Sequence, residues 1–375
     1  MRVLHLHSGF DAGGKELRAV RLMNLFGPGV AHSVVSAQPG ALGAAAAVAP
    51  GIAVAYPDDF PPLNGPVRLG RLARIARAMA GHDLVLTYNW GAMDAVMAHT
   101  LFSQVLKLPP LVHHEDGFNE DEAGRLKTSR NWYRRIGLGR ASGLIVPSQR
   151  LERIALETWH QPAWRVRRIA NGIPTGAYSA RPRPDALPRI IKRPGELWLG
   201  TLAGLRAVKN LPRLVRAFAG LPEEWQLVIV GEGPEREAIR NTAIELGIGH
   251  RVHLPGFAPD PASVLGLFDL FALSSDSEQF PISVVEAMAA GLAVVAPAVG
   301  DVAAMVAPEN APAIVAPGDD GNLAAALAEL AADPARRARI GKANRARARA
   351  EFDEGAMLEA YRAAYGAALG RESFP

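Results

Sequence analysis

Residues 269–291 read DLFALSSDSEQFPISVVEAMAAG, an apolar run, a polar turn and a second apolar run in quick succession. Asp269 to Ser275 has the length and composition of a short buried strand, Asp276 to Ser283 reads as a loop, and Val284 to Ala290 is rich in good helix formers. Strand, loop and helix in that order are the unit from which parallel α/β sheets are built. The stretch also sets Glu278 and Glu286 on either side of the helix start. The first turn of a helix leaves N–H groups unpaired and carries partial positive charge. A phosphate of a bound nucleotide is therefore expected near Pro281, Ile282 and Ser283, with Glu278 facing one end of the ligand and Glu286 the other.

Working outward, the same alternation fills the chain. Apolar runs at Val3 to His7, Leu84 to Tyr88, Leu111 to His114, Gly143 to Pro147, Arg167 to Ala170, Leu197 to Ala203, Gln226 to Val230, Arg251 to Leu254, Leu270 to Leu273 and Ala293 to Ala296 are separated by helical patterns. This predicts parallel sheets with crossover helices. A chain of 375 residues favours two domains over one core. Tyr178 to Gly195 carries Pro182, Pro184, Pro188 and Pro194, cannot hold a regular element for long, and is expected to join the halves.

Cysteine is absent, which excludes disulfides and thiolate chemistry and suits a reducing compartment. His5 and His7 break the N-terminal apolar run, so no signal peptide is expected there. Residues 33–57 carry no charge but are interrupted by Pro and Gly, so no membrane span is expected. The net charge of +4 is uneven: residues 1–190 hold 23 Lys and Arg against 14 Asp and Glu, and the remainder 18 against 23. Arg68, Arg71, Arg74 and Arg77 fall at helical spacing. Arg125, Lys127, Arg130, Arg134, Arg135 and Arg140 surround Trp132 and Tyr133. Such faces are either solvated or touch anionic lipid or an anionic acceptor. No nucleic-acid module accompanies the charge, so no nucleic-acid partner is expected.

With Phe280, Pro281, Glu286, Ala287, Met288, Ala289 and Gly291 around it, the glutamate pair resembles the signature of retaining glycosyltransferases of the GT-B fold, in the large GT4 family (glycosyl transferases group 1). Gln279 stands where members commonly carry Gly. The resemblance implies two Rossmann-like domains with parallel sheets facing across a cleft. Residues 1–178, with helix 357–375 crossing back, would form the acceptor side, and 179–356 would hold the nucleotide-sugar donor. The reaction it implies moves a hexose or related sugar from a nucleotide diphosphate to a hydroxyl of a saccharide or lipid-linked acceptor, with retention and without a metal or other cofactor. Polysaccharide or glycoconjugate biosynthesis in the cytoplasm, including the inner face of the membrane, is the implied setting.

The resemblance also assigns roles. Glu286 would bind ribose hydroxyls, and Glu278 would bind sugar hydroxyls and stabilise positive charge developing on the ring. Gly200 to Asn210 matches the segment that grips the donor diphosphate: Lys209 falls in register, but the family's Arg position falls on Gly204, with Arg206 two residues later. Either Arg206 supplies a guanidinium from a shifted position, or neutralisation rests chiefly on Lys209. Gly13 and Gly14 match a Gly-rich loop opening a helix. Gly233, within Val230 to Pro234, and Phe257, after His253, border the nucleotide side, the glycine chiefly through geometry. His114 matches a histidine near the donor sugar, with His113 second. A zinc site from both is rejected, because adjacent strand residues point to opposite faces. Two rival readings remain open: a sugar-nucleotide epimerase on the same fold, and a sugar-nucleotide-binding scaffold without transferase activity.

Overall fold

The computed structural model describes residues 1–118, 122, 126–180 and 182–375, so Arg125 of the second basic cluster lies outside the described residues. The chain forms two compact units, Met1–Asn171 with Met357–Pro375, and Gly172–Ala356. The units part at Asn171–Gly172, ahead of Tyr178. The Pro-rich stretch expected to join them belongs to the second unit. Its first residue is the physical reason: Tyr178 is buried, and its hydroxyl donates to Glu286 Oε1 at 3.0 Å.

The first unit is built on a parallel sheet of β1 (Arg2–His7), β2 (Ala31–Ser36), β3 (Val54–Ala55), β4 (Leu84–Tyr88), β5 (Leu111–His114), β6 (Gly143–Val146) and β7 (Val166–Arg168), in the order β3-β2-β1-β4-β5-β6-β7. Helices α1 (Gly14–Phe26), α2 (Leu69–Met79), α3 (Met93–Leu106), α4 (Thr128–Gly137) and α5 (Gln149–Arg153) connect the strands. Both faces are covered. Leu4, Leu6 and Val85 enter one core with Leu72, Ile75 and Met93. Their strand neighbours Val3, Leu84 and Leu86 enter the other with Val20, Met23, Tyr361 and Tyr365. This is the two-residue period of a strand read on both faces.

The second unit repeats the plan with β8 (Leu197–Leu202), β9 (Trp225–Val230), β10 (Val252–Gly256), β11 (Leu270–Ala272), β12 (Val294–Pro297) and β13 (Ile314–Val315), ordered β10-β9-β8-β11-β12-β13. Its helices are α6 (Leu211–Phe218), α7 (Arg236–Glu245), α8 (Ile282–Ala290), α9 (Val302–Met305), α10 (Asp320–Ala332) and α11 (Pro334–Glu351). The last helix, α12 (Glu354–Ala368), contributes Met357, Tyr361, Ala364 and Tyr365 to the first unit's core. Strand order reverses between β1 and β4 in one sheet and between β8 and β11 in the other. Such reversals open a crevice at the carboxyl ends of the strands, where ligands bind in open α/β sheets.

Two arginines of the basic clusters are not surface residues. Arg71 is buried, donates to the carbonyls of Pro62, Leu63, Gly65 and Pro66, and pairs with Asp94. Arg134 is fully buried, pairs with Glu115 and Glu122, and lies over the rings of Trp90, Phe118 and Trp159 at 4.9, 5.2 and 5.1 Å. A buried guanidinium is tolerated only with this degree of pairing.

Candidate active site

At the order reversal of the second sheet, the loops after β8 and β11 are stitched together. Asp276 donates its backbone N–H to the Val208 carbonyl at 2.9 Å, and the Ser274 hydroxyl donates to the Lys209 carbonyl at 2.9 Å. The stitching brings Lys209 and Glu278 into contact: Lys209 Nζ lies 2.5 Å from Glu278 Oε1. The Ser275 hydroxyl donates to the same oxygen at 2.7 Å. Glu278 is thus held on one oxygen, leaving the other for a ligand. The two side chains keep 16% and 11% exposure, so a ligand can reach the pair without unfolding the loop.

Immediately beyond, α8 starts without a side-chain cap, at Pro281. Among the described residues no acceptor meets the N–H of Ile282 or Ser283, while Val284 N–H already donates to the Pro281 carbonyl. Two amides and the positive end of a nine-residue helix are therefore open to an anion beside Lys209. Glu286 lies one turn further along, oriented by the Tyr178 hydroxyl.

Three glycines set this architecture. A Cβ on Gly231 would lie 1.9 Å from the Ala203 carbonyl oxygen, and one on Gly233 would lie 2.4 Å from that of Leu205. Both glycines have left-handed φ, at 146° and 156°. They let the turn after β9 clamp the loop after β8, with Leu205 N–H donating to Glu232 and Glu235 N–H to Leu205. Gly233 thus works through packing. Gly300, at φ 57°, lets its loop approach the Glu278 and Gln279 carbonyls, where a Cβ would lie 2.5 and 2.6 Å away. Gly204 is different. It has no left-handed φ, and a Cβ there would meet only the Arg206 side chain, 3.6 Å from Nε. The exposed Arg206 side chain lies back over Gly204, in the space a residue 204 side chain would enter. Phe257, after β10, is 70% exposed.

The first unit brings together a different set. Gly13 caps α1 and Gly14 opens it, and the start of this helix carries a carboxylate of its own: a Cβ on Gly13 would lie 2.6 Å from Glu16 Oε2, and Glu16 is buried and paired with Lys15. Burial draws the Lys15 ammonium down to about 8. Arg18 forms a fork with Asp116 and donates to Asn171 at 2.7 Å.

His114 is not poised for a ligand. It is 1% exposed, Nδ1 is 3.2 Å from the Thr87 carbonyl and Nε2 is 2.9 Å from the Tyr365 hydroxyl. Burial lowers its pKa to about 3, so the ring is a neutral core group. His113, also buried, contacts the Thr87 hydroxyl at 2.8 Å. Reading from sequence missed Ser275 and Tyr178, which orient the two glutamates. A Ser-Ser pair in a loop and a tyrosine beside prolines carry no periodic signal that would single them out.

Residues 186–347 match the family model described as "Glycosyl transferases group 1", and residues 16–177 match "Glycosyltransferase Family 4". The chain belongs to the GT4-like glycosyltransferases. A curated relative is the lipopolysaccharide core biosynthesis glycosyltransferase LpsD of Rhizobium meliloti, 31% identical over 188 residues. That match spans 48% of this chain and about half, 53%, of LpsD. Among solved structures, HepE of Anabaena in complex with UDP superposes with a TM-score of 0.76 at 21% identity, over 96% of this chain and 97% of its own. A glycosyltransferase from Rickettsia africae superposes with a TM-score of 0.78 at 14% identity, over 98% of each chain. At these identities the likeness is one of fold, and the fold is GT-B. Within this GT4-like framework, Gln279 and Gly204 remain the two departures beside the Lys209 and Glu278 pair.

Proposed function

We propose that this chain is a retaining, metal-independent glycosyltransferase that moves a sugar from a nucleotide-diphosphate sugar to a hydroxyl of a saccharide or lipid-linked acceptor. The observation that carries the reading is the Lys209–Glu278 contact beside the uncapped start of α8. It offers a cation and two amides to a diphosphate next to a carboxylate for the sugar. LpsD is named for lipopolysaccharide core biosynthesis, and HepE was solved with UDP and with UDP-glucose, which supports a nucleotide-sugar donor and a role in polysaccharide or glycoconjugate biosynthesis.

In the proposed step, the bond from the anomeric carbon to the diphosphate oxygen breaks, and its electron pair stays on the phosphate. The acceptor oxygen bonds the anomeric carbon on the same face, and its proton passes to the departing phosphate oxygen. Lys209, Arg206 and the Ile282 and Ser283 amides stabilise the charge that develops on the diphosphate, the electrostatic work that dominates such transfers. Glu278, with Oε1 already held, offers its second oxygen to sugar hydroxyls and opposes the positive charge of the ring. Glu286 accepts hydrogen bonds from the ribose, and the exposed ring of Phe257 borders the base.

Peripheral contact with an anionic membrane at its cytoplasmic face belongs to the same proposal. Its support is the pairing of exposed Val67 and Leu69 with Arg68, Arg74 and Arg77 at α2, and of exposed Trp132 and Ile136 with Arg135 at α4. Among the described residues no helix is long and apolar enough to cross a membrane.

The test is incubation of the purified chain with UDP-, GDP-, ADP- and TDP-sugars in EDTA, with and without saccharide acceptors. Nucleoside diphosphate release and the product's anomeric configuration are read by NMR. Release with a retained anomer supports the proposal. An isomerised sugar nucleotide would favour an epimerase, and binding without release under every acceptor would favour a scaffold.

A further inference from the structure

The amino ends of the first sheet's strands carry a polar cavity, at the edge opposite the carboxyl ends of β1 and β4. It has a volume of about 510 Å³ and is lined by Ser103 at the end of α3, Arg140 and Ser142 before β6, Trp164 and Arg165 before β7, and the end of α12. Arg165 is the unusual member. It is 8% exposed, yet among the described residues its side chain meets only neutral acceptors, Gln161 Oε1 at 2.7 Å and the Gly139 carbonyl at 2.9 Å. Its Nε–H is buried and meets no hydrogen-bond partner among the described residues. No ion pair reaches Arg165 or Arg140 among the described residues. Burial alone pulls the Arg165 pKa below its usual value, with no carboxylate to offset it.

A guanidinium stays charged at any physiological pH, so a buried one without a counter-ion carries a desolvation cost that neutral acceptors offset only in part. Buried arginines elsewhere in this unit are compensated: Arg18 by Asp116, Arg71 by Asp94 and Arg134 by two glutamates. Beside Arg165 the cavity adds the exposed guanidinium of Arg140, the side chains of Ser103 and Ser142, and the exposed ring of Trp164, which lies 4.9 Å from the Arg165 guanidinium carbon. Two guanidinium groups with flanking hydroxyls match the donor demand of a phosphate, whose oxygens accept from a planar fork.

We propose that this cavity is an accessory binding site for a phosphate-type anion, separate from the sugar-nucleotide site and independent of the proposed reaction. The anion is either a free phosphate or pyrophosphate, or the headgroup of an anionic lipid whose acyl region would meet the exposed Val105, Leu101 and Trp164.

The test uses the full chain carrying Lys209→Ala, so that the diphosphate site contributes less to the signal. Calorimetric titration with inorganic phosphate and pyrophosphate probes the free anion, and cosedimentation with phosphatidylglycerol-containing vesicles against pure phosphatidylcholine probes the lipid. Saturable binding in either arm, weakened about five-fold or more by adding Arg140→Ala and further by Arg165→Gln, supports the site and names its source. Arg140 is exposed and, among the described residues, makes no hydrogen bond or ion pair from its side chain, so its variant separates binding from folding. In the otherwise native chain, Arg140→Ala should leave donor turnover unchanged. Absence of binding in both arms, or binding that ignores Arg140→Ala, overturns the proposal.

Discussion

Lys209 Nζ and Glu278 Oε1 lie 2.5 Å apart, although 68 residues separate them and they come from loops after two different strands. The contact exists because β8 and β11 are neighbours at the point where the strand order reverses. An ion pair that remains partly exposed contributes little to stability. Its placement next to unpaired helix amides is better explained by a ligand that takes the lysine's remaining hydrogens.

Lys209→Ala is therefore expected to weaken nucleoside diphosphate binding by about 10-fold or more, since a hydrogen bond to a charged group contributes roughly 1.5–3 kcal/mol. Glu278→Gln should leave binding of the bare nucleotide within about two-fold while abolishing most turnover, because the ligand partner proposed for it is the sugar. Calorimetry and a release assay on both variants decide the matter. Unaltered affinity in Lys209→Ala would remove the phosphate assignment.

Tyr178→Phe should mimic a mild Glu286→Gln. Deleting the hydroxyl removes the 3.0 Å bond that helps orient the Glu286 carboxylate, so nucleotide affinity should fall a few-fold with little change in maximal rate. A variant with native affinity would show that Glu286 is oriented by other contacts.

Gly233→Ala and Gly204→Ala should behave oppositely. The first forces a Cβ to 2.4 Å from a carbonyl oxygen at φ 156°, and should destabilise the fold by roughly 1–3 kcal/mol or more. The second meets only a movable arginine side chain and should leave the melting temperature nearly unchanged, while a bulkier Gly204→Leu displaces Arg206 and weakens diphosphate binding. Equal melting temperatures for Gly233→Ala and the native chain would contradict the clamp.

Acid should destabilise the first unit before carboxylates begin to titrate. Burial lowers His114 to about 3 and His32 to about 4, and lowers His5 and His7 as well. The folded state favours the neutral rings, whereas the unfolded chain binds protons near pH 6.5. The stabilisation is complete above pH 6.5 and is lost as pH falls from there toward 3. A melting temperature that drops between pH 7.5 and 5.5 is expected. A flat profile over that range would mean the rings are less enclosed than their burial indicates.

Much of this was legible in the sequence because it depends on local pattern. The apolar alternation located ten strands, and Glu278, Glu286 and the helix between them follow from one contiguous stretch. The strands that escaped notice are β2, β3 and β13. The last two are only two residues long and show no period, and β2 lies where Ala, Ser and Gly dilute the apolar signal. What sequence could not supply is partnership at a distance. His114 reads as a strand-end polar residue, and only the fold reveals that Tyr365, 251 positions away, takes its Nε2. Arg71 and Arg134 read as members of basic faces for the same reason, since the aspartate, glutamates and rings that enclose them come from other elements.

The measurement that tests the central claim most directly is a calorimetric titration of the native chain and of Lys209→Ala with UDP, GDP, ADP and TDP in EDTA. The account predicts that at least one nucleoside diphosphate binds the native chain saturably without metal and binds Lys209→Ala about 10-fold or more weakly. Failure of all four to bind, or equal binding by both chains, would contradict it.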